Sequence, residues 1–245
     1  GDLEAALDVA LGVGNGLAVL ARQTICELVV VALHQFDELH HDARAALRIP
    51  PEDTVFLLVG SGYERKGVAA AIRALAMLPG PTHLVVVGRE SHPQRYARLA
   101  RSLDLSGRVH IAGPQTDPKP YFGAADAFVL PTVYDPCPNA ALEAMACGLP
   151  VITSTKAGAA ELVREHGCGL VCPTGDVAAL ADHMRALQEP ATRAGFAATA
   201  RRAVLPLSPA AMTRRQVLLY RDLLATAPRD ETRAAATAAS VGAHQ

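Results

Sequence analysis

The chain has 245 residues, 50% hydrophobic, 19% charged and only 4% aromatic, with no tryptophan and a net charge of −1. A single core of this size is feasible, whereas two full domains of about 150 residues each do not fit. The near-zero charge excludes nucleic-acid binding through a bulk positive field, and no run of about 18 apolar residues marks a membrane-spanning helix. Residues 1–12 carry acids and no basic region, so no secretory leader is expected. Five cysteines (Cys26, Cys137, Cys147, Cys168 and Cys172) are too few for a disulfide scaffold, and thiols in a cytoplasm fit better.

Residues 1–50 contain one expected helix over 3–11, glycines at 12, 14 and 16, and a strand-like run over 28–33. Leu17 stands where a dinucleotide fingerprint needs its last glycine, so the glycines read as a turn. The polar stretch 36–50 reads as a linker with a short helix, ending at Pro50 and Pro51. Six short apolar runs follow, at 54–60, 83–88, 108–113, 126–131, 150–154 and 169–172. They are apolar on both faces, as parallel strands covered by helices on both sides are.

Between the runs, apolar residues three and four apart mark helices. Val68, Ile72, Leu75 and Met77 mark one; Tyr96, Leu99 and Leu103 another; Ala140, Leu142, Met145 and Ala146 a third; Leu180, Met184 and Leu187 a fourth. This alternation predicts an α/β fold with a doubly wound parallel, Rossmann-like sheet, and ligands at the carboxyl ends of its strands. Ser208 and Pro209 open a last helix reaching about 225, with Met212, Val217, Leu218, Leu219 and Leu223 apolar. The expected division is a segment 1–50, a domain 51–226 and a disordered tail 227–245.

The first strand enters the loop 60–67, which opens a helix. Arg65 occupies the place where both a dinucleotide fingerprint and a Walker A loop need glycine, and both patterns fail. What remains is the pair Arg65 and Lys66 at the mouth of a helix, suited to a diphosphate, against a solvated turn with Glu64 as the alternative. After the fourth strand, Pro136 and Pro138 fix an extended loop, Asn139 is a good N-cap, and a helix runs on to Gly148 as its C′ residue. Asp135 and Glu143, eight positions apart, can face one cavity and accept hydrogen bonds from a hydroxyl-rich ligand. Hydroxyls and phosphate together point to a nucleotide sugar; the alternative for Glu143 is an exposed helix residue.

Taken together, the stretches 60–67, 85–90, 108–117, 121–154 and 157–163 resemble the nucleotide-sugar half of a GT-B retaining glycosyltransferase of family 4, of the kind that builds lipopolysaccharide core. The resemblance covers roughly 42–226. It implies that Arg65 and Lys66, with Gly62 in their loop, hold the donor diphosphate. Asp135 and Glu143 match the family's two catalytic-site acids separated by seven residues, although the first is commonly Glu. Asp135 would contact the hexose hydroxyls and Glu143 the ribose. Backbone N–H groups of Asn139, Ala140 and Ala141 would meet phosphate or sugar. Residues 114–117 would lie against the base, with Gln115 making main-chain contacts, and Arg89 is a further cavity residue. The class works without a metal, so no metal or cofactor is expected.

A GT-B enzyme holds its acceptor on a second Rossmann-like domain, and about 50 residues cannot build one. The expected partners are therefore a nucleotide-sugar donor (UDP-hexose), a glycan or lipid-linked acceptor, and a protein partner or second copy supplying the acceptor face. No nucleic acid is expected. The implied location is cytoplasmic, at the inner face of a membrane through the acceptor. A non-catalytic nucleotide-sugar-binding module is the alternative, and paired acids disfavour an epimerase. Cys168 and Cys172 lack a second pair for zinc, and His34, His40, His41 and His110 read as solvated or core histidines.

Overall fold

A computed structural model of the chain describes residues 43–207 and 209–226, in two units divided between Pro206 and Leu207. The helix expected over 3–11, the strand over 28–33, Cys26, His34, His40, His41 and the tail past 226 lie outside the described residues.

The first unit holds six strands: β1 (Thr54–Val59), β2 (Thr82–Val87), β3 (Val109–Gly113), β4 (Ala127–Leu130), β5 (Val151–Ser154) and β6 (Gly169–Cys172). All pair in parallel, in the order β3-β2-β1-β4-β5-β6. β2, β4 and β5 are buried along their length, and β3, at one edge, is half-exposed throughout. The helices are α1 (Tyr63–Lys66), α2 (Val68–Ala76), α3 (Gln94–Ser102), α4 (Lys119–Ala124), α5 (Asn139–Ala146), α6 (Ala159–His166), α7 (Val177–Ala186) and α8 (Pro190–Val204). α2 packs against α7, and α5 against α8.

The expected stripes seat most of these helices. Val68, Ile72 and Leu75 bury α2, and Leu180, Met184 and Leu187 lie in the core; Met77 falls past the end of α2 and is 49% exposed. α8 left no comparable stripe, because its buried side chains are Ala200, Ala203 and Val204, with Pro190 at its start. The chain leaves β1 toward β2 and leaves β4 toward β5, so the connections diverge between β1 and β4. That divergence opens the crevice in which such sheets bind ligands.

The polar stretch before β1 is more than a linker. A helical turn over 43–47 carries Arg44, which is 3% exposed. Its guanidinium donates to the carbonyls of Ala124 (2.9 Å), Pro51 (2.8 Å) and Asp53 (2.8 Å) and to the Asp126 carboxylate (2.8 Å). Asp126 Oδ2 also accepts the Val55 N–H at 2.7 Å. At the same, amino-terminal edge of the sheet, Asp53 bonds His83 (2.8 Å) and His83 bonds His110 (3.0 Å), so His110 is a satisfied histidine.

The second unit contains α9 (Pro209–Thr226), the helix that the sequence pattern joins to the domain. Leu218, Leu219, Tyr220, Leu223 and Leu224 on it are each more than half exposed.

Removing Arg44 strips Asp126 of its nearer cation, leaving Arg193 at 3.7 Å, and leaves the carbonyls of Ala124, Pro51 and Asp53 without their donor, so Arg44→Met is expected to cost about 3 kcal/mol of stability. Urea unfolding monitored by circular dichroism measures this, and a midpoint equal to that of the unchanged chain contradicts it.

Candidate functional site

β1 ends in a tight loop at the crevice. Gly62 and Gly67 both sit at left-handed φ (74° and 78°), bracketing the single turn of α1. A Cβ on Gly67 would lie 2.1 Å from the Pro131 carbonyl oxygen, so glycine lets the loop after β1 touch the loop after β4. The contact is extended by hydrogen bonds: the Arg65 carbonyl accepts the Val133 N–H (2.8 Å) and the Thr132 hydroxyl (2.8 Å). The Arg65 guanidinium returns one to the Tyr134 carbonyl at 3.2 Å.

Lys66 and Asp135 complete the junction. Lys66 lies across Gly60, where a Cβ would come 2.7 Å from its Cε, and its ammonium donates to Asp135 Oδ2. The two residues are 9% and 6% exposed, and Arg65, half exposed, stands 3.7 Å from the same oxygen. A third loop holds the acid: the Asp135 N–H donates to the Lys156 carbonyl (3.2 Å) and its carbonyl accepts the Gly158 N–H (2.8 Å). Gly158 is required there, since a Cβ would meet the Pro136 carbonyl at 2.0 Å. Three strand-end loops, after β1, β4 and β5, therefore converge on Asp135.

Arg65 and Lys66 close the one-turn α1 and stand directly before Gly67, the N-cap of α2, so the pair lies at the mouth of that helix; the N–H of Tyr63 at the start of α1 is taken by Glu90 at 2.8 Å. Asp135, read as a contact for hexose hydroxyls, directs Oδ2 at two cations, because a nearly buried ammonium needs a counter-charge.

α5 starts beyond this junction. Pro138, and not Asn139, is its N-cap; Asn139 is the first helical residue and makes no capping bond. Among the described residues, no hydrogen bond engages the N–H groups of Asn139 and Ala140, whereas Ala141 donates to the Pro138 carbonyl at 2.9 Å and is fully buried. Gly148 ends the helix at φ 77°. Glu143, on the second turn, is half-buried, and its carboxylate has no hydrogen bond or ion pair among the described residues. Desolvation pushes its carboxyl above the ordinary range. Cys147, one turn on, is pushed up to about 12 by burial and by Glu143, against an opposing effect of Arg201. It is thus a protonated, packed thiol.

The remaining candidates lie at the rim. The Gly62 N–H is taken by the Arg89 carbonyl at 3.0 Å. The Arg89 side chain is exposed, and its backbone N–H donates to the Ser61 hydroxyl at 3.2 Å. Gln115 is exposed and folds its amide back onto the Ala112 carbonyl at 2.8 Å. Thr132, Tyr134 and Glu90 were not singled out from sequence. For Glu90 the signal existed: a carboxylate just past a strand end, beside a glycine loop.

The family model for glycosyl transferases group 1 matches residues 40–203. The lipopolysaccharide core biosynthesis glycosyltransferase LpsE of Rhizobium meliloti is 36% identical over 133 residues, which cover 54% of this chain and 39% of that protein. The lipopolysaccharide glucosyltransferase WaaG of Escherichia coli is 35% identical over 127 residues, covering 50% of this chain and 34% of WaaG. A solved structure of WaaG superposes with a TM-score of 0.63 at 31% identity, over 67% of this chain and 46% of that one. Sucrose-phosphate synthase from Thermosynechococcus elongatus superposes with a TM-score of 0.67 at 33% identity, over 76% of this chain and 49% of that one. The matched part thus spans less than half the length of each of these relatives. With its parallel sheet in the order seen here, the chain belongs to the glycosyl transferases group 1 family, on the GT-B fold.

Proposed function

We propose that the chain binds a UDP-hexose and serves as the donor half of a hexosyltransferase that acts with retention on a glycan or lipopolysaccharide core acceptor. The observation that carries this reading is the cation pair Arg65 and Lys66, anchored by Asp135 at the divergence of β1 and β4. In transfer, the bond between the anomeric carbon and the β-phosphate oxygen breaks, and negative charge gathers on the departing diphosphate. Preplaced cations in a desolvated crevice stabilise that charge, so the reading requires no metal. Arg65 is exposed enough to swing onto phosphate, while Lys66 supplies a fixed charge beside it. The open amides of Asn139 and Ala140 at the start of α5 add donors for phosphate or sugar oxygens.

Glu143 has a different part. A half-buried carboxylate with no protein partner is costly to maintain and suits a ligand hydroxyl, here those of the ribose. Both named lipopolysaccharide relatives support an acceptor of that class. The acceptor face would come from a second domain, whether of this protein, of a partner or of a second copy, and a lipid-linked acceptor would put the working enzyme at the inner face of a membrane. UDP binding without transfer, when such a domain is supplied, would instead mark a binding module.

Calorimetry with UDP and with uridine separates phosphate from nucleoside contacts. Arg65→Gln and Lys66→Met are each expected to weaken UDP by about tenfold or more, the value of one charge-assisted hydrogen bond, and uridine by less than about twofold. Equal losses for both ligands contradict the assignment.

Glu143→Gln is expected to abolish measurable UDP-hexose binding and to stabilise the fold. A carboxyl whose folded pKa is raised binds more protons folded than unfolded, so its ionisation erodes stability as pH rises above the ordinary carboxylate range. The variant should melt higher than the unchanged chain at pH 7.5, with the difference shrinking toward pH 4.5. A lower melting point at pH 7.5 contradicts this.

A further inference from the structure

Glu90 is not among the residues that the donor-site reading uses, yet it ties the base of that site together. It follows β2, which ends at Val87. Its Oε2 accepts the N–H of Tyr63, the first residue of α1, at 2.8 Å, and its Oε1 accepts the His92 N–H at 3.3 Å. The neighbouring backbones are joined at each step. Gly60 donates to the Val87 carbonyl at 2.8 Å and Gly62 to the Arg89 carbonyl at 3.0 Å. A Cβ on Gly88 would lie 2.1 Å from the Gly60 carbonyl oxygen.

Tyr63 is fully buried, donates its hydroxyl to the Gly88 carbonyl at 2.8 Å, and meets Tyr96 edge-on at 5.3 Å. Desolvation pushes the Glu90 carboxyl up, but the amides of Tyr63, His92 and Ser91 and the charge of Arg95 outweigh it and hold the group below its ordinary range. Glu90 is therefore an anionic clasp under a turn of only four residues.

We infer that Glu90 is a positioning residue for the donor phosphates: by holding the Tyr63 amide it fixes the turn from which Arg65 and Lys66 reach the crevice. A four-residue helix cannot hold its own geometry through internal hydrogen bonds. The Arg65 carbonyl is clamped from the β4 side by Thr132 and Val133, and Glu90 clamps the opposite end of the same turn. Loosening that end lets the two cations spread over many orientations, which lowers affinity for the diphosphate without removing any group that touches it.

The inference rests on the donor-site reading, and its test keeps the two apart. UDP and uridine are titrated into the unchanged chain, Glu90→Ala and Glu90→Gln, and amide hydrogen exchange is followed over 60–67 in each. The expected result is a loss of about tenfold in UDP affinity for Glu90→Ala, with uridine changed by less than about twofold. Faster exchange confined to 60–67 should accompany it. Glu90→Gln, whose one side-chain carbonyl can still accept the Tyr63 N–H while giving up the longer bond from the His92 N–H, should bind UDP within about threefold of the unchanged chain. If the unchanged chain binds UDP and Glu90→Ala binds it equally well, or if the glutamine variant is as weak as the alanine one, the positioning role is overturned and the donor site stands. If the unchanged chain binds no UDP, the donor-site reading falls and this inference falls with it.

Discussion

Lys66 reaches across the divergence of β1 and β4 to Asp135, and the local architecture follows from accommodating that ion pair. The lysine can lie over the end of β1 only because residue 60 is glycine, and the two loops can touch only because residue 67 is glycine. Asp135 is held in turn by the backbone after β5, through Lys156 and Gly158. A nearly buried charge pair contributes little net stability once desolvation is counted, and leaving either partner alone is costly. Its effect is to keep an ammonium in the crevice at a fixed place, where hydrophobic packing alone would favour expelling it.

The two acids of the site sit in contrasting environments. Asp135 meets two cations and three loops, whereas Glu143 is desolvated beside Cys147 with nothing to accept its charge among the described residues. Environments that separate two carboxylates in this way commonly separate their roles. On the proposed reading, one anchors the groups that would face phosphate, and the other is left to satisfy itself on a ligand. The clasp formed by Glu90 extends the first role to a third acid, so the turn that carries Arg65 and Lys66 is braced from both neighbouring strands.

The strands were the most legible part of the chain, because apolar runs buried on both faces need no long-range knowledge to be seen. All six occur within two residues of their expected bounds. The glycine loop and the helix after Pro138 were legible as well, since turn and cap chemistry is local. What failed to show was long-range or polar. Arg44 looked like part of a linker, and two of its four hydrogen bonds, to Ala124 and Asp126, exist only once the end of α4 and the approach to β4 are brought to it. The pairing of Asp135 with Lys66 joins residues 69 positions apart, which spacing cannot reveal. α8 is built on alanines, which bury without announcing a stripe.

The proposal that the cations after β1 and Glu143 on α5 flank a single nucleotide-sugar pocket can be checked by a crystal structure of the chain soaked with UDP-glucose. The β-phosphate is expected within about 3 Å of Lys66 Nζ or the Arg65 guanidinium, and the ribose hydroxyls on the Glu143 carboxylate. A nucleotide bound with Lys66 and Glu143 on separate surfaces, or one that leaves both untouched, would contradict it.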